Sequence, residues 1–169
     1  GEPKSCNIVT SCEGKGKTFI MFSDDLDKAL ATFVLANGAA ATGQKVTIFF
    51  TFWGLNVIKK LQKPNVEKDI FGKMFGMMLP SSSRKLKLSK MSMGGIGGKM
   101  MRYIMNRKGI DSLESLRQQA LENGVEFIAC QMSMDVMGVK QEELLDEVTI
   151  GGVATYMERA DNANINLFI

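Results

Sequence analysis

The chain has 169 residues, 45% of them hydrophobic and 23% charged, with a formal net charge of +3, the composition of one globular domain with a full core. It holds no histidine and three cysteines, Cys6, Cys12 and Cys130, none of them in a Cys-x-x-Cys pair. That excludes a histidine-based catalytic triad, histidine-ligated zinc and a four-thiolate metal site from this chain alone.

Residues 1–16 are polar, include Pro3, Gly14 and Gly16, and lack the apolar core of a signal peptide. They are expected to form a flexible leader ahead of a single domain over 17–169. Lys17 to Phe22 reads as a first strand. Ser23-Asp24-Asp25 caps the following helix, whose Leu26, Leu30, Phe33, Val34 and Asn37 keep helical spacing until Gly43 ends it. Val46 to Phe50 is a second strand, apolar enough to be buried on both faces. Thr51-Phe52-Trp53-Gly54 follows at its carboxyl end, and a short helix is expected from Leu55 to Leu61.

From 64 to 108 the strand–helix rhythm breaks. Between Phe71 and Ile110 stand nine basic residues and no acidic one, so this stretch carries +9 and leaves −6 on the remainder. Eight of the thirteen methionines lie here as well. Methionine-rich apolar surface is unusual in a solvated loop. The insertion is open to three readings: a lid over Cys130, a partner or oligomer contact, or an interfacial membrane patch. Its basic residues lack interleaved stacking aromatics, which argues against nucleic acid. A basic helix is expected near Lys99 to Asn106. Asp111 to Glu122 reads as another helix, with Asp111 and Glu114 as a capping-box variant and Gly124 as its stop.

A third strand, Val125 to Cys130, runs directly into a helix from Gln131 to Met137. Glu147 to Ile150 is a fourth strand, Gly151-Gly152 opens a helix to Ala160, and Asn164 to Phe168 is a fifth. This alternation implies a parallel five-stranded sheet with helices on both faces, a three-layer α/β/α arrangement plus the Met-rich basic insertion.

Ligands and chemistry collect at the carboxyl ends of such strands. Cys130 stands there, facing the unpaired N–H groups of the next helix, which favour a thiolate. The competing reading is a small buried core residue. A reactive thiol without a histidine base suits disulfide or persulfide exchange better than acyl hydrolysis, and needs neither metal nor organic cofactor. Gly151 and Gly152 either offer N–H groups to the anion or merely allow tight packing. Trp53 either walls the pocket or is a core aromatic. Cys6 and Cys12 are either resolving thiols on a flexible arm or incidental exposed thiols. Gly14-Lys15-Gly16-Lys17-Thr18 hints at a phosphate loop but fails the pattern: Ser11 occupies the required glycine position, and no strand precedes it. Met93-Gly94-Gly95-Ile96-Gly97-Gly98 is equally weak as a nucleotide loop.

Three strings carry a resemblance that reaches from Lys17 over nearly the whole chain. They are Phe22 to Ala29, Phe49-Phe50-Thr51-Phe52-Trp53-Gly54-Leu55-Asn56, and Cys130-Gln131-Met132-Ser133-Met134-Asp135-Val136-Met137-Gly138. The chain resembles the DsrE/DsrF-like family, in its branch described as sulfurtransferases or peroxiredoxin-family proteins. The resemblance implies a DsrEFH-like fold, oligomers, and a cysteine matching Cys130 that carries sulfane sulfur as a persulfide. It further implies sulfur donors and acceptors, proteins or small thiols, with TusA-like partners for the heteromeric members; the extra insertion sets this chain apart from those. The reading is thus a homo-oligomeric sulfur carrier or sulfurtransferase-like protein, cytoplasmic or membrane-peripheral. The alternative is a non-enzymatic membrane-associated or adaptor module in which Cys130 is structural and the insertion does the binding.

Overall fold

The computed structural model describes residues 16–62, 68, 70–91 and 93–169. The leader thiols Cys6 and Cys12 lie outside the described residues. Five parallel strands form one sheet in the order β4-β3-β2-β1-β5. They are β1 (Gly16–Met21), β2 (Val46–Phe50), β3 (Glu126–Cys130), β4 (Thr149–Gly151) and β5 (Ala163–Phe168). The expected three-layer α/β architecture is therefore present. Gly16, Lys17 and Thr18, part of the rejected phosphate-loop string, lie in β1, so the strand starts one residue earlier than expected.

Strand order explains the layers. From β1 through β4 the chain steps in one direction across the sheet, and right-handed connections put those crossovers on one face. Helix α1 (Leu26–Ala41) and a later helix, α4 (Leu113–Glu122), pack together there, joined by Asn37 Nδ2 donating to Leu116 O at 3.0 Å. The last crossover returns past β3, β2 and β1 to the far edge. Its helix, α6 (Val153–Asp161), therefore covers the opposite face.

The alternation of side chains along each strand divides the core accordingly. Phe19, Met21, Ile48, Phe50, Phe127 and Ala129 belong to the large cluster under α1 and α4. Phe49, Ile128 and Cys130 belong to a small cluster closed by Tyr156 of α6. On α1 the buried positions are Leu26, Ala29, Thr32, Phe33 and Ala36, so Val34, expected on the inner face, points outward.

After β2 the chain makes a 3-10 turn over Phe52–Ile58 where a short helix from Leu55 was expected. Gly54 explains its tightness. Its N–H donates to Phe22 O at 2.9 Å, and a Cβ there would stand 1.9 Å from Met21 O. Only glycine lets this turn close on the end of β1. The cap of α4 also differs from expectation. Ser112 is the N-cap, its Oγ accepting from Ser115 N at 3.2 Å, while Glu114 turns to Arg102 and Asp111 accepts from Gln119.

The insertion contains α2 (Ile70–Met78), two 3-10 turns at Ser83–Lys85 and Met93–Gly95, and α3 (Ile96–Arg107). It is fastened by Leu86 in the main core, with Leu79, Leu88 and Met101 against it, and by polar contacts. Lys87 O accepts from Leu26 N at 2.7 Å, Lys59 Nζ donates to Pro80 O at 2.9 Å, and Asp27 accepts from Ser89 N at 2.9 Å. Arg102 Nη2 donates to Ser83 O at 2.9 Å and its Nη1 meets Glu114 Oε2 at 3.1 Å. Lys68 and Glu143 form a buried pair at 2.8 Å beside α2.

Helix α5 (Gln131–Met137) ends at Gly138, whose φ is +64°; a Cβ there would stand 2.4 Å from Gly72 Cα, so α2 rests directly on this turn. The expectation that the insertion buries its methionines does not hold within the chain. Met74, Met77, Met78, Met91, Met93 and Met100 are exposed, and only Met105 is fully buried. Among the described residues, the inward positions are Gly72 in α2 and Gly97, Gly98, Met101 and Met105 in α3.

Candidate functional site

Cys130 is the last residue of β3 and the residue immediately before α5. Its strand neighbours are β2, through Phe50↔Ala129, and β4, through Cys130↔Gly151. All three strands end here together, so Thr51, Trp53, Ser133, Gly151 and Gly152 gather at the same carboxyl end of the sheet. The expected placement of Cys130 at a strand end before a helix is what the fold delivers.

Its surroundings are less open than the sequence suggests. Cys130 is 2% exposed and sits on the α6 face of the sheet among Phe49, Ile128 and Tyr156, with Ile20 and Ala160 at the border. Phe49 and Tyr156 stack with ring centroids 5.3 Å apart. Tyr156 Oη lies 3.3 Å from Thr18 Oγ1, and Thr18 also bonds Asn166 of β5. Farther along α6, Arg159 Nε donates to Glu126 Oε1 at 2.8 Å. Thr47 donates to the same carboxylate oxygen at 3.2 Å. The hydrogen bond from Arg159, with its charge, holds the Glu126 carboxyl below the usual glutamate range. Tyr156 at the thiol and the Arg159–Glu126 pair farther along thus hold α6 over Cys130.

No described residue of the insertion belongs to the cluster around Cys130. Among the described residues, the insertion is held against α1, α4 and α5, and the cover over Cys130 is α6. The cause is the reversal of direction at β5, which assigns α6, alone among the crossover helices, to that face.

Gly151 and Gly152 occupy the link from β4 to α6. Gly151 is crowded: a Cβ would meet Ile128 Cγ2 at 3.0 Å and Thr155 at 3.3 Å. Gly152 precedes α6 in extended backbone, with open space around it. Tight packing accounts for Gly151 and leaves Gly152 without a steric reason.

Trp53 reaches the same end of the sheet as Cys130 but not the same cavity. It is 42% exposed, so it is not a core aromatic, and it walls a cleft of about 610 Å³ with Asp24, Asp25, Met78, Pro80 and Lys87. Asp24 in this cleft accepts from Nδ2 of the fully buried Asn56 at 2.9 Å. Burial raises its carboxyl pKa above the usual aspartate value, more than the Asn56 bond lowers it.

Sequence reasoning missed Tyr156, Thr18, Glu126 and Arg159. The one available signal was a tyrosine within a helix that directly follows the strand paired with Cys130; its meaning depends on knowing which face that helix takes. Another missed element is the buried Thr51 Oγ1–Ser133 Oγ bond of 2.7 Å, which ties the end of β2 to α5.

Comparison with known proteins agrees with this geometry. The model of the DsrE/DsrF/DrsH-like family matches residues 14–168, and the chain belongs to that family. It is 44% identical over 155 residues to Uncharacterized protein YrkE of Bacillus subtilis, covering 92% of this chain and 97% of the relative. It is 38% identical over 161 residues to Sulfur carrier protein DsrE2 of Allochromatium vinosum, covering 93% and 99%. Among solved structures, the ychN protein of E. coli shares the fold with a TM-score of 0.54 at 12% identity, over 91% of this chain and 99% of that one.

Proposed function

We propose that the chain is a sulfur-relay protein that holds sulfane sulfur as a persulfide on Cys130. The observation that carries this reading is the position of Cys130, the one cysteine among the described residues, at the carboxyl end of β3 between α5 and the start of α6. Family membership and the 38% identity to a protein named as a sulfur carrier support it.

The chemistry is two thiol exchanges. The Cys130 thiolate attacks the outer sulfur of a donor persulfide, forming the Cys130 S–S bond and releasing the donor as a thiolate. An acceptor thiolate then attacks the terminal sulfur, takes it, and returns Cys130 as a thiolate. No electrons are gained or lost overall, so donor and acceptor suffice, whether proteins or small thiols. A reducing cytoplasm suits a free thiol of this kind.

A thiol this buried exchanges sulfur only when its cover moves. The Gly151-Gly152 link is the natural hinge, since glycine absorbs backbone rotation at little steric cost. Lifting α6 brings Cys130 and the first N–H groups of α6 into the same opening. A homo-oligomer is part of the reading: β5, the edge strand among the described residues, leaves Ile165, Leu167 and Phe168 exposed.

The burial of Cys130 favours one competing reading, in which the thiol is structural and the chain is an adaptor. Incubation with a polysulfide followed by intact mass and peptide mapping separates the two. With Cys6 and Cys12 replaced by serine, one added sulfur on Cys130, removable by a small thiol and lost in Cys130→Ser, is the expected result. A folded protein whose Cys130 takes no sulfur overturns the carrier reading.

A further inference from the structure

The two helices of the insertion each expose an apolar stripe with cations among it. In α2 the exposed positions are Ile70, Lys73, Met74, Met77 and Met78, a stripe at i, i+3, i+4, i+7 and i+8. Ile70 is 83% exposed, Met77 89% and Met78 76%. In α3 the exposed stripe is Ile96, Lys99, Met100, Tyr103, Ile104 and Arg107, at the same spacing. Gly72 in α2 and Gly97 and Gly98 in α3 face the body, with Gly98 seated against Leu86 O. A helix normally turns its apolar stripe to the core. Here long apolar side chains point outward with cations among them, while the described inner positions are Gly72 in α2 and Gly97, Gly98, Met101 and Met105 in α3.

Three properties identify what covers these stripes. The first is charge: every ionisable carboxylate is absent from 71–110, while nine cations are present, so the stripe matches a uniformly anionic surface. Arg102 is drawn inward by Glu114 and Ser83, but Lys73, Lys99, Arg107 and Lys108 remain exposed. The second is the kind of apolar residue. Methionine is flexible and fits a fluid partner as readily as a shaped one, and lysine stems cover apolar surface while keeping the charge at its rim. The third is length. At 9 and 12 residues, α2 and α3 are each shorter than about 20 Å, against a hydrocarbon core of about 30 Å. No helix among the described residues is long and apolar enough to cross a membrane. Such helices lie in the plane of an interface.

We infer that α2 and α3 form a docking surface for an anionic lipid bilayer, with methionine and isoleucine entering the acyl boundary and lysine and arginine at the headgroups. This surface is separate from the Cys130 cluster and does not rest on sulfur carriage. It would hold the protein at the membrane face while Cys130 stays free under α6 on another side of the sheet.

The test is cosedimentation of the full chain with vesicles of phosphatidylglycerol and phosphatidylcholine. Binding to anionic vesicles, weakened as salt rises, is expected. The Lys73→Gln, Lys99→Gln, Arg107→Gln triple variant should partition on the order of a hundredfold more weakly at low salt, about fivefold for each charge. Met77→Ser with Met78→Ser should also reduce binding; both side chains are so exposed that folding is unaffected, which circular dichroism checks. The Cys130→Ser variant should bind as the parent does. No binding of the folded chain to anionic vesicles overturns the inference. So does equal binding to pure phosphatidylcholine, and so does a dimer that falls apart in the methionine variants without any lipid binding, which would make a second copy the occupant.

Discussion

Arg159 of α6 reaches across the sheet to Glu126, which stands on the same face of β3 as Cys130 and four residues before it. The pair ties the cover to the strand that carries the thiol. Both side chains are more than a third exposed, so solvent screening keeps the pair weak. Glu126→Gln should therefore raise the alkylation rate of Cys130 at neutral pH by up to ~5-fold through a larger open fraction of α6. Iodoacetamide labelling followed by mass spectrometry reads the rate. An unchanged rate in a stable variant would mean that the thiol is reached by another route.

Tyr156 makes a stronger version of the same test. Its ring stacks on Phe49 and closes the cluster that contains Cys130. Tyr156→Ala should cost about 3–5 kcal/mol, as for other buried aromatics, and should leave the thiol openly reactive. Tyr156→Phe keeps the ring and loses only the contact with Thr18, so it should cost about 1 kcal/mol or less and change labelling little. Urea unfolding beside thiol titration distinguishes a loosened cover from a protein that has simply unfolded.

Gly54 and Gly138 should prove intolerant for steric reasons unrelated to chemistry. Gly54→Ala drives a methyl group into Met21 O, and no side-chain rotation relieves a backbone clash. A loss of more than about 3 kcal/mol is expected. Gly138→Ala both strains a positive φ and pushes Gly72 away, so it should release α2 from α5. Hydrogen exchange should then rise in 70–78 before the core strands. Exchange that rises uniformly would mean that α2 is not separately docked.

These residues also mark what the sequence made legible. The five strands were readable because β2 and β3 are continuous apolar runs and because capping and glycine signals bracket each helix. The site was half readable. Cys130 at a strand end follows from local pattern alone, but its cover does not. Which face Cys130 points to depends on the strand order, and the order is set by the last crossover returning past three strands. The insertion defeated expectation for a different reason. Methionine abundance suggested burial, whereas Met74, Met77, Met78 and Met100 share the exposed stripes of α2 and α3, and helical periodicity counted from Ile70 and Ile96 would have found those stripes.

Acid should weaken the protein through two glutamates and spare a third carboxyl. Burial works to raise the pKa of Glu114, but the Arg102 charge, with hydrogen bonds from Arg102 and Ser83, outweighs it and holds the carboxyl below the usual glutamate value. Glu126 is lowered by its hydrogen bond from Arg159. A folded pKa below the unfolded one means stability that is present above the unfolded value, near 4.5, and is lost as pH falls through the folded value. Asp24 has the opposite sign: burial raises its pKa, so its contribution is present below the ordinary aspartate value of 3.8 and is lost as pH rises through the folded one. Glu114→Gln should therefore reduce stability at pH 7 by about 1–2 kcal/mol and flatten the acid limb, because the variant has nothing left to protonate there. Asp24→Asn should raise stability at pH 7 and leave the acid limb steep, since an amide keeps an acceptor for Asn56 without the cost of a buried charge. Urea midpoints from pH 3 to 8 for the parent and both variants supply the measurement. A Glu114→Gln profile parallel to the parent at every pH would show that the Arg102 pair contributes nothing to the fold.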